Sequence, residues 1–181
     1  DGRFHGRTIS LSRCAKLYKK ELITANIRYC DPRTSYVEDL NIVFPAILDA
    51  QSIFFLEEGQ GVYCYRMNPS SMLHAYDKNM LSSIQYVYPS LKQICIDKNH
   101  QELIQQVDAD YLAASVQYFK NELQNPNGLS ETHKKIREFI RDKELQRIIN
   151  EVDWRKYRKL NILIIRAMKD YNWFYANIVT T

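Results

Sequence analysis

The sequence predicts an α+β chain that is predominantly α-helical. From about residue 75 onward, apolar side chains recur at alternating steps of three and four, the spacing of one helix face. Ahead of that stretch, two short runs rich in β-branched and aromatic residues (52–56 and 62–66) flank a turn-forming Glu57-Glu58-Gly59-Gln60-Gly61, the pattern of a short β hairpin. With 181 residues, 45% hydrophobic and 25% charged, the chain has the composition of a folded domain with a real core.

The elements follow in order. Residues 1–8 are polar with two Gly and read as a loop. Residues 9–23 begin strand-like and continue into a helical stretch carrying Leu17, Tyr18 and Leu22. Asp31-Pro32-Arg33-Thr34-Ser35 is a loop by its turn residues. Residues 37–50 place Leu40, Val43, Phe44, Ile47 and Leu48 at helical spacing, with Pro45 predicting a kink or a tight first turn. After the hairpin, Asn68-Pro69-Ser70-Ser71 is a loop. Ile104, Val107, Tyr111, Ala114 and Tyr118 then form a helical stripe, and Asn125-Pro126-Asn127-Gly128 breaks it, with Ser130 as N-cap of the next helix. Ile136, Phe139 and Ile140, then Leu145, Ile148, Ile149 and Val152, then Leu160, Leu163, Ile164, Ala167 and Tyr171, mark further helices of a bundle. The organisation expected is a mixed piece over residues 1–75 and a helical extension over 76–181.

The four cysteines, Cys14, Cys30, Cys64 and Cys95, form no C-x-x-C pair and no zinc spacing, so they read as reduced, mostly buried thiols of a cytoplasmic protein. No apolar run is long enough to cross a membrane. The net charge of +4 is a mild excess and does not by itself indicate a nucleic-acid partner. Between His133 and Lys169, however, 12 Lys and Arg stand against 5 Asp and Glu, with Trp154, Trp173, Phe174 and Tyr175 nearby. Such a segment is either a solvated basic face or one that lies on an anionic membrane surface, a peripheral contact at the inner face of the cell membrane.

Residues 12–82 are the stretch most informative about chemistry. Ser12-Arg13-Cys14-Ala15-Lys16-Leu17-Tyr18-Lys19-Lys20-Glu21-Leu22-Ile23 resembles the "KLYKRELI" segment of bacterial family-two glycosyltransferases, and Tyr36-Val37-Glu38-Asp39-Leu40 resembles their "GEDL" element. Val62-Tyr63-Cys64-Tyr65-Arg66 and Asn68 with Ser70-Ser71-Met72 resemble the "YxYR" and "N-x-x-S-I" pieces that follow, in the same order. The resemblance implies the C-terminal, acceptor-side portion of a GT-A fold that transfers a sugar from a nucleotide-sugar donor to a glycan or lipid-linked acceptor hydroxyl, with inversion. It implies Asp39 as catalytic base and Glu38 as a group that bonds the acceptor or holds Asp39. The same acidic pair, taken alone, reads as ordinary first-turn helix caps. The usual Gly before the pair is Val37 here.

Arg66 is placed to reach the donor diphosphate through its forked donors, or is a surface Arg beside a hairpin. Ser71 and His74 are weaker candidates for substrate contact, against capping or solvated roles. A divalent metal, Mg or Mn, is implied for a longer parent protein and none for this chain, because the nucleotide-binding half with its Asp-x-Asp motif is expected upstream of Asp1. Asp108-Ala109-Asp110 matches those letters but falls after the acidic pair and inside a helical stripe, so it is not that motif. The chain alone is therefore expected to be inactive. The alternative is a non-catalytic helical module for protein interaction or membrane-surface contact. A nucleic-acid binder ranks last, because the aromatics follow helix periodicity rather than a stacking platform.

Overall fold

The computed structural model describes residues 11–54, 63–64 and 75–170. Among these the backbone is predominantly α-helical and contains no strand. The predicted hairpin is not seen: residues 52–54 and 63–64 are irregular, and the remainder of both runs lies outside the described residues. Strand-formers need a half-buried surface to pack on, and Ile53 and Phe54 are 44% and 91% exposed. The chain forms two compact units.

The first unit holds described residues 11–54, 63–64 and 79–103. Its helices are α1 (Lys20–Asn26), α2 (Leu40–Leu48) and α3 (Met80–Asp97). Helix α1 starts later than the sequence predicts, because Lys19 is extended, with ψ 134°. Tyr18 thus precedes the helix, and Leu17 is fully exposed. Pro45 sits inside α2, as expected, and withholds one intrahelical donor without ending the helix. Both α1 and α3 pack on α2. Leu40, Val43 and Ala46 of α2 and Ile84, Val87, Leu91 and Ile94 of α3 are buried in the core.

A polar tie fixes the three helices where they end. The buried Asn26 donates from Nδ2 to the Leu22 carbonyl and to Asp49 Oδ2, each at 2.8 Å. Lys98 Nζ donates to Asp49 Oδ1 at 2.6 Å. Asp49, just past α2, is thereby bound to the end of α1 and the end of α3. Burial works against its charge, but the hydrogen bonds from Lys98 and Asn26 outweigh that and hold its carboxyl below the usual range.

The second unit holds described residues 75–78 and 104–170. Helix α4 (Ile104–Glu122) is its centre, and α5 (Leu129–Phe139), α6 (Lys143–Glu151) and α7 (Lys159–Asp170) all pack on it. The stripe 107–118 is buried as the periodicity predicts, and Tyr118 meets Phe139 edge to face at 4.8 Å. The break at 125–128 is also where predicted, but the N-cap of α5 is Gly128 at φ 86°, not Ser130, which lies one residue inside the helix. Asp142 caps α6, its Oδ1 accepting from Leu145 N at 2.8 Å. In α7 Leu160 is half exposed, while Asn161 is buried and accepts from Lys120 Nζ at 3.0 Å.

Residues 76–77 are strapped to α4. Asn121 accepts from Asp77 N at 2.9 Å and donates to the Asp77 carbonyl at 3.0 Å. Tyr76 donates its hydroxyl to the buried Glu122 carboxylate at 3.2 Å and accepts from Lys135 Nζ at 2.7 Å.

The Asp49 tie yields a prediction. Asp49→Ala should lower stability to urea by about 1–3 kcal/mol at neutral pH. The Asp49 carboxyl is depressed in the folded state, so its contribution is present above the unfolded value and lost as pH falls. The gap between variant and wild type should therefore shrink below about pH 4. A gap that stays constant from neutral pH to about pH 3 would contradict the tie.

Candidate active site

Glu38 and Asp39 occupy the turn that opens α2. The chain enters this turn through Val37 at φ 53°, in the left-handed region. A β-branched residue there is strained by roughly 1–3 kcal/mol. The Leu40 N–H donates to the Val37 carbonyl at 3.0 Å and the Val43 N–H to the Asp39 carbonyl at 2.9 Å, so the turn runs directly into the helix.

The capping role open to this pair on sequence grounds is not the one Asp39 takes. Asp39 is the N-cap residue of α2, yet its side chain makes no capping hydrogen bond. The carboxylate turns instead to Arg13. Arg13 Nε forms an ion pair with Asp39 Oδ1, and the Arg13 backbone N–H donates to Asp39 Oδ2 at 2.9 Å. The same guanidinium reaches Glu38 Oε1 through Nη2 at 3.1 Å. One cation thus bridges both acids. The Asp39 side chain is 25% exposed and that of Glu38 38% exposed, so the pair stays open to solvent on the Glu38 side.

The loop bearing Arg13 is shaped by its neighbours. Lys16 Nζ donates to the Ser12 carbonyl at 2.7 Å, and Ala15 adopts φ 56°. Two non-glycine residues in the left-handed region, Ala15 and Val37, therefore flank the Arg13–Asp39 contact at two residues' distance on each side. Strain of this kind clusters where surrounding structure over-determines a conformation.

Two further groups belong to the site. Hydrogen bonds with Tyr63 and Ser12 hold the exposed Cys14 thiol below its usual range, against burial and the Asp39 charge. Burial, then the Asp39 charge, pushes the Tyr18 phenol up, and its hydroxyl is shielded from solvent with no hydrogen-bond partner among the described residues. The arrangement therefore offers two part-exposed carboxylates bridged by one guanidinium.

Of the residues singled out from sequence, the structure brings together Glu38 and Asp39. Arg66, Ser71 and His74 lie outside the described residues. Asp108-Ala109-Asp110 lies inside α4 with both carboxylates buried, and Asp108 Oδ2 accepts from Arg147 Nη2 at 2.8 Å. Among the described residues no group of three His, Cys, Asp or Glu side chains is placed to hold a metal. Glu38, Asp39 and Asp108 are each paired with an Arg.

Sequence reasoning placed Arg13, Cys14 and Tyr18 in a suggestive segment but gave them no role. Their role depends on a fold-back of 26 residues from Arg13 to Asp39 that no local pattern encodes. No family model, no curated protein and no solved structure matches the chain.

The strain at Val37 is testable. Val37→Gly relieves roughly 1–3 kcal/mol of backbone strain and gives back about 0.5–1 kcal/mol as unfolded-state freedom. A net gain of about 1 kcal/mol in urea unfolding is expected. A loss of that size would mean that the Val37 side chain, not the turn, holds this segment.

Proposed function

We propose that this chain is the acceptor-side portion of an inverting, family-two-like glycosyltransferase, with Asp39 as its base. The observation that carries the reading is that the acidic pair arrives at the first turn of α2 without capping it. It does so behind a left-handed residue, at the position where the resembled family has Gly. A left-handed φ is what would make Gly the natural residue there. The ordered series of residues 12–72 supports the same reading from the sequence side.

The chemistry assigned is a single displacement. An acceptor hydroxyl attacks the anomeric carbon of a nucleotide sugar; the new O–C bond forms as the bond to the diphosphate breaks, and the configuration inverts. The hydroxyl proton passes to Asp39. The contacts to Arg13 leave lone pairs on Asp39 Oδ2 for that hydroxyl. Glu38, the more exposed acid, bonds a second acceptor hydroxyl. Arg13 positions both carboxylates before the acceptor arrives.

The acceptor class is a glycan or lipid-linked sugar, the pathway one of cytoplasmic polysaccharide synthesis. Arg66, Ser71 and His74 remain the proposed contacts to the donor diphosphate and the acceptor. Donor binding, with Mg or Mn, is assigned to the nucleotide-binding half of a longer parent protein, so this chain alone is inactive.

The test is Asp39→Asn in that parent, assayed for sugar transfer. Transfer is expected to fall about 10²–10⁴-fold, the usual worth of a base, with the urea midpoint retained because Asn keeps the side-chain volume. Near-wild-type transfer would remove Asp39 from the mechanism. Measurable transfer by the present chain alone would remove the division of labour.

A further inference from the structure

The second unit carries a concentrated positive face that the proposed chemistry does not use. Helix α5 has two unlike sides. Thr132, Ile136 and Phe139 are buried against the unit's core. The other side presents Ser130, His133, Lys134, Arg137 and Glu138, and together with Arg141, two residues past the helix, these line an open groove of about 400 Å³. Of the six residues that line the groove, Glu138 is the acid. Lys134, Arg137 and Arg141 are exposed, and no described residue pairs with Lys134 or Arg141. From Lys134 to Arg141 the row spans roughly 10 Å.

A second cationic segment belongs to the same unit. Arg155, Lys156, Arg158 and Lys159 are all exposed, and Leu160, half exposed, follows them directly. Among the described residues the local acid is Asp153, which reaches Lys156 at 3.7 Å on the open surface.

We propose that the basic face of α5 docks this unit on an anionic phospholipid surface. A one-sided row of cations matches a planar array of phosphate headgroups, and an exposed Leu beside cations suits the headgroup boundary, where the apolar group inserts and the charges stay in water. The contact is peripheral: among the described residues no helix is long and apolar enough to cross a membrane.

A single-stranded nucleic acid fits this surface less well, because it needs aromatic faces free for stacking. The two aromatics beside the basic segment are committed to the fold. The Trp154 indole N–H donates to the Ile149 carbonyl at 2.8 Å, and the Tyr157 hydroxyl donates to the Ala109 carbonyl at 3.1 Å.

The experiment is co-sedimentation of this chain with vesicles of phosphatidylcholine alone and with about 30% phosphatidylglycerol, at about 0.1 M and 0.5 M salt. Binding is expected to the anionic vesicles only, weakening at high salt. The triple variant Lys134→Gln, Arg137→Gln, Arg141→Gln should partition on the order of 100-fold less, about fivefold per cation. Its urea midpoint should not move, since these side chains are exposed. Equal binding to neutral vesicles, no binding to anionic ones, or an undiminished triple variant would overturn the proposal. So would single-stranded RNA that displaces the chain from anionic vesicles at equal phosphate concentration.

Discussion

The site rests on one guanidinium. Adjacent carboxylates at Glu38 and Asp39 repel each other and, left alone, would turn to the free N–H groups of α2 or to water. Arg13 supplies the countercharge to both, and its own backbone N–H takes the second oxygen of Asp39. At 58% side-chain exposure, Arg13 contributes little to overall stability, since such pairs are worth about 0–1 kcal/mol. Its effect is geometric. It keeps Asp39 off the end of the helix and aimed across to the loop that carries Cys14 and Tyr18.

That geometry is built on a rigid support. The turn before α2 is strained at Val37, and strain persists only where neighbours hold it. Here α2 is clasped at its far end by Asp49, which Asn26 and Lys98 bind from two other helices. A helix fixed at its C-terminal end, with Leu40, Val43 and Ala46 buried along one side, gives its first turn a defined place. The pair of acids inherits that precision without belonging to the core.

The helices were legible in the sequence wherever burial has a period. Val107, Tyr111 and Tyr118 are buried as their spacing requires, and the Asn125–Gly128 break separates α4 from α5, with Gly128 at a φ that other residues avoid. Legibility failed where context decides. Ile53 and Phe54 have strand propensity, yet they lie exposed in irregular chain. Leu160 has the right spacing for α7 yet stays half exposed, and Asn161, polar by type, is buried because Lys120 satisfies it. The acidic pair was visible as a motif, but its partner was not. Arg13 lies 26 residues away, and only the fold-back of the chain joins them.

Two charge patterns thus divide the molecule's chemistry. In the first unit opposite charges are matched closely around Asp39. In the second, one side of α5 is basic and solvent-exposed, while Asp108 is paired with Arg147 and Glu122 with Tyr76 and Asn125. The proposed function stands on the first pattern, a carboxylate held by Arg13 and left uncapped at the start of α2. The most direct measurement is the anomeric configuration of the product of the proposed sugar transfer, read by proton NMR before mutarotation. Single displacement with Asp39 as base predicts a configuration opposite to that of the donor. Retention of the donor's configuration would contradict it.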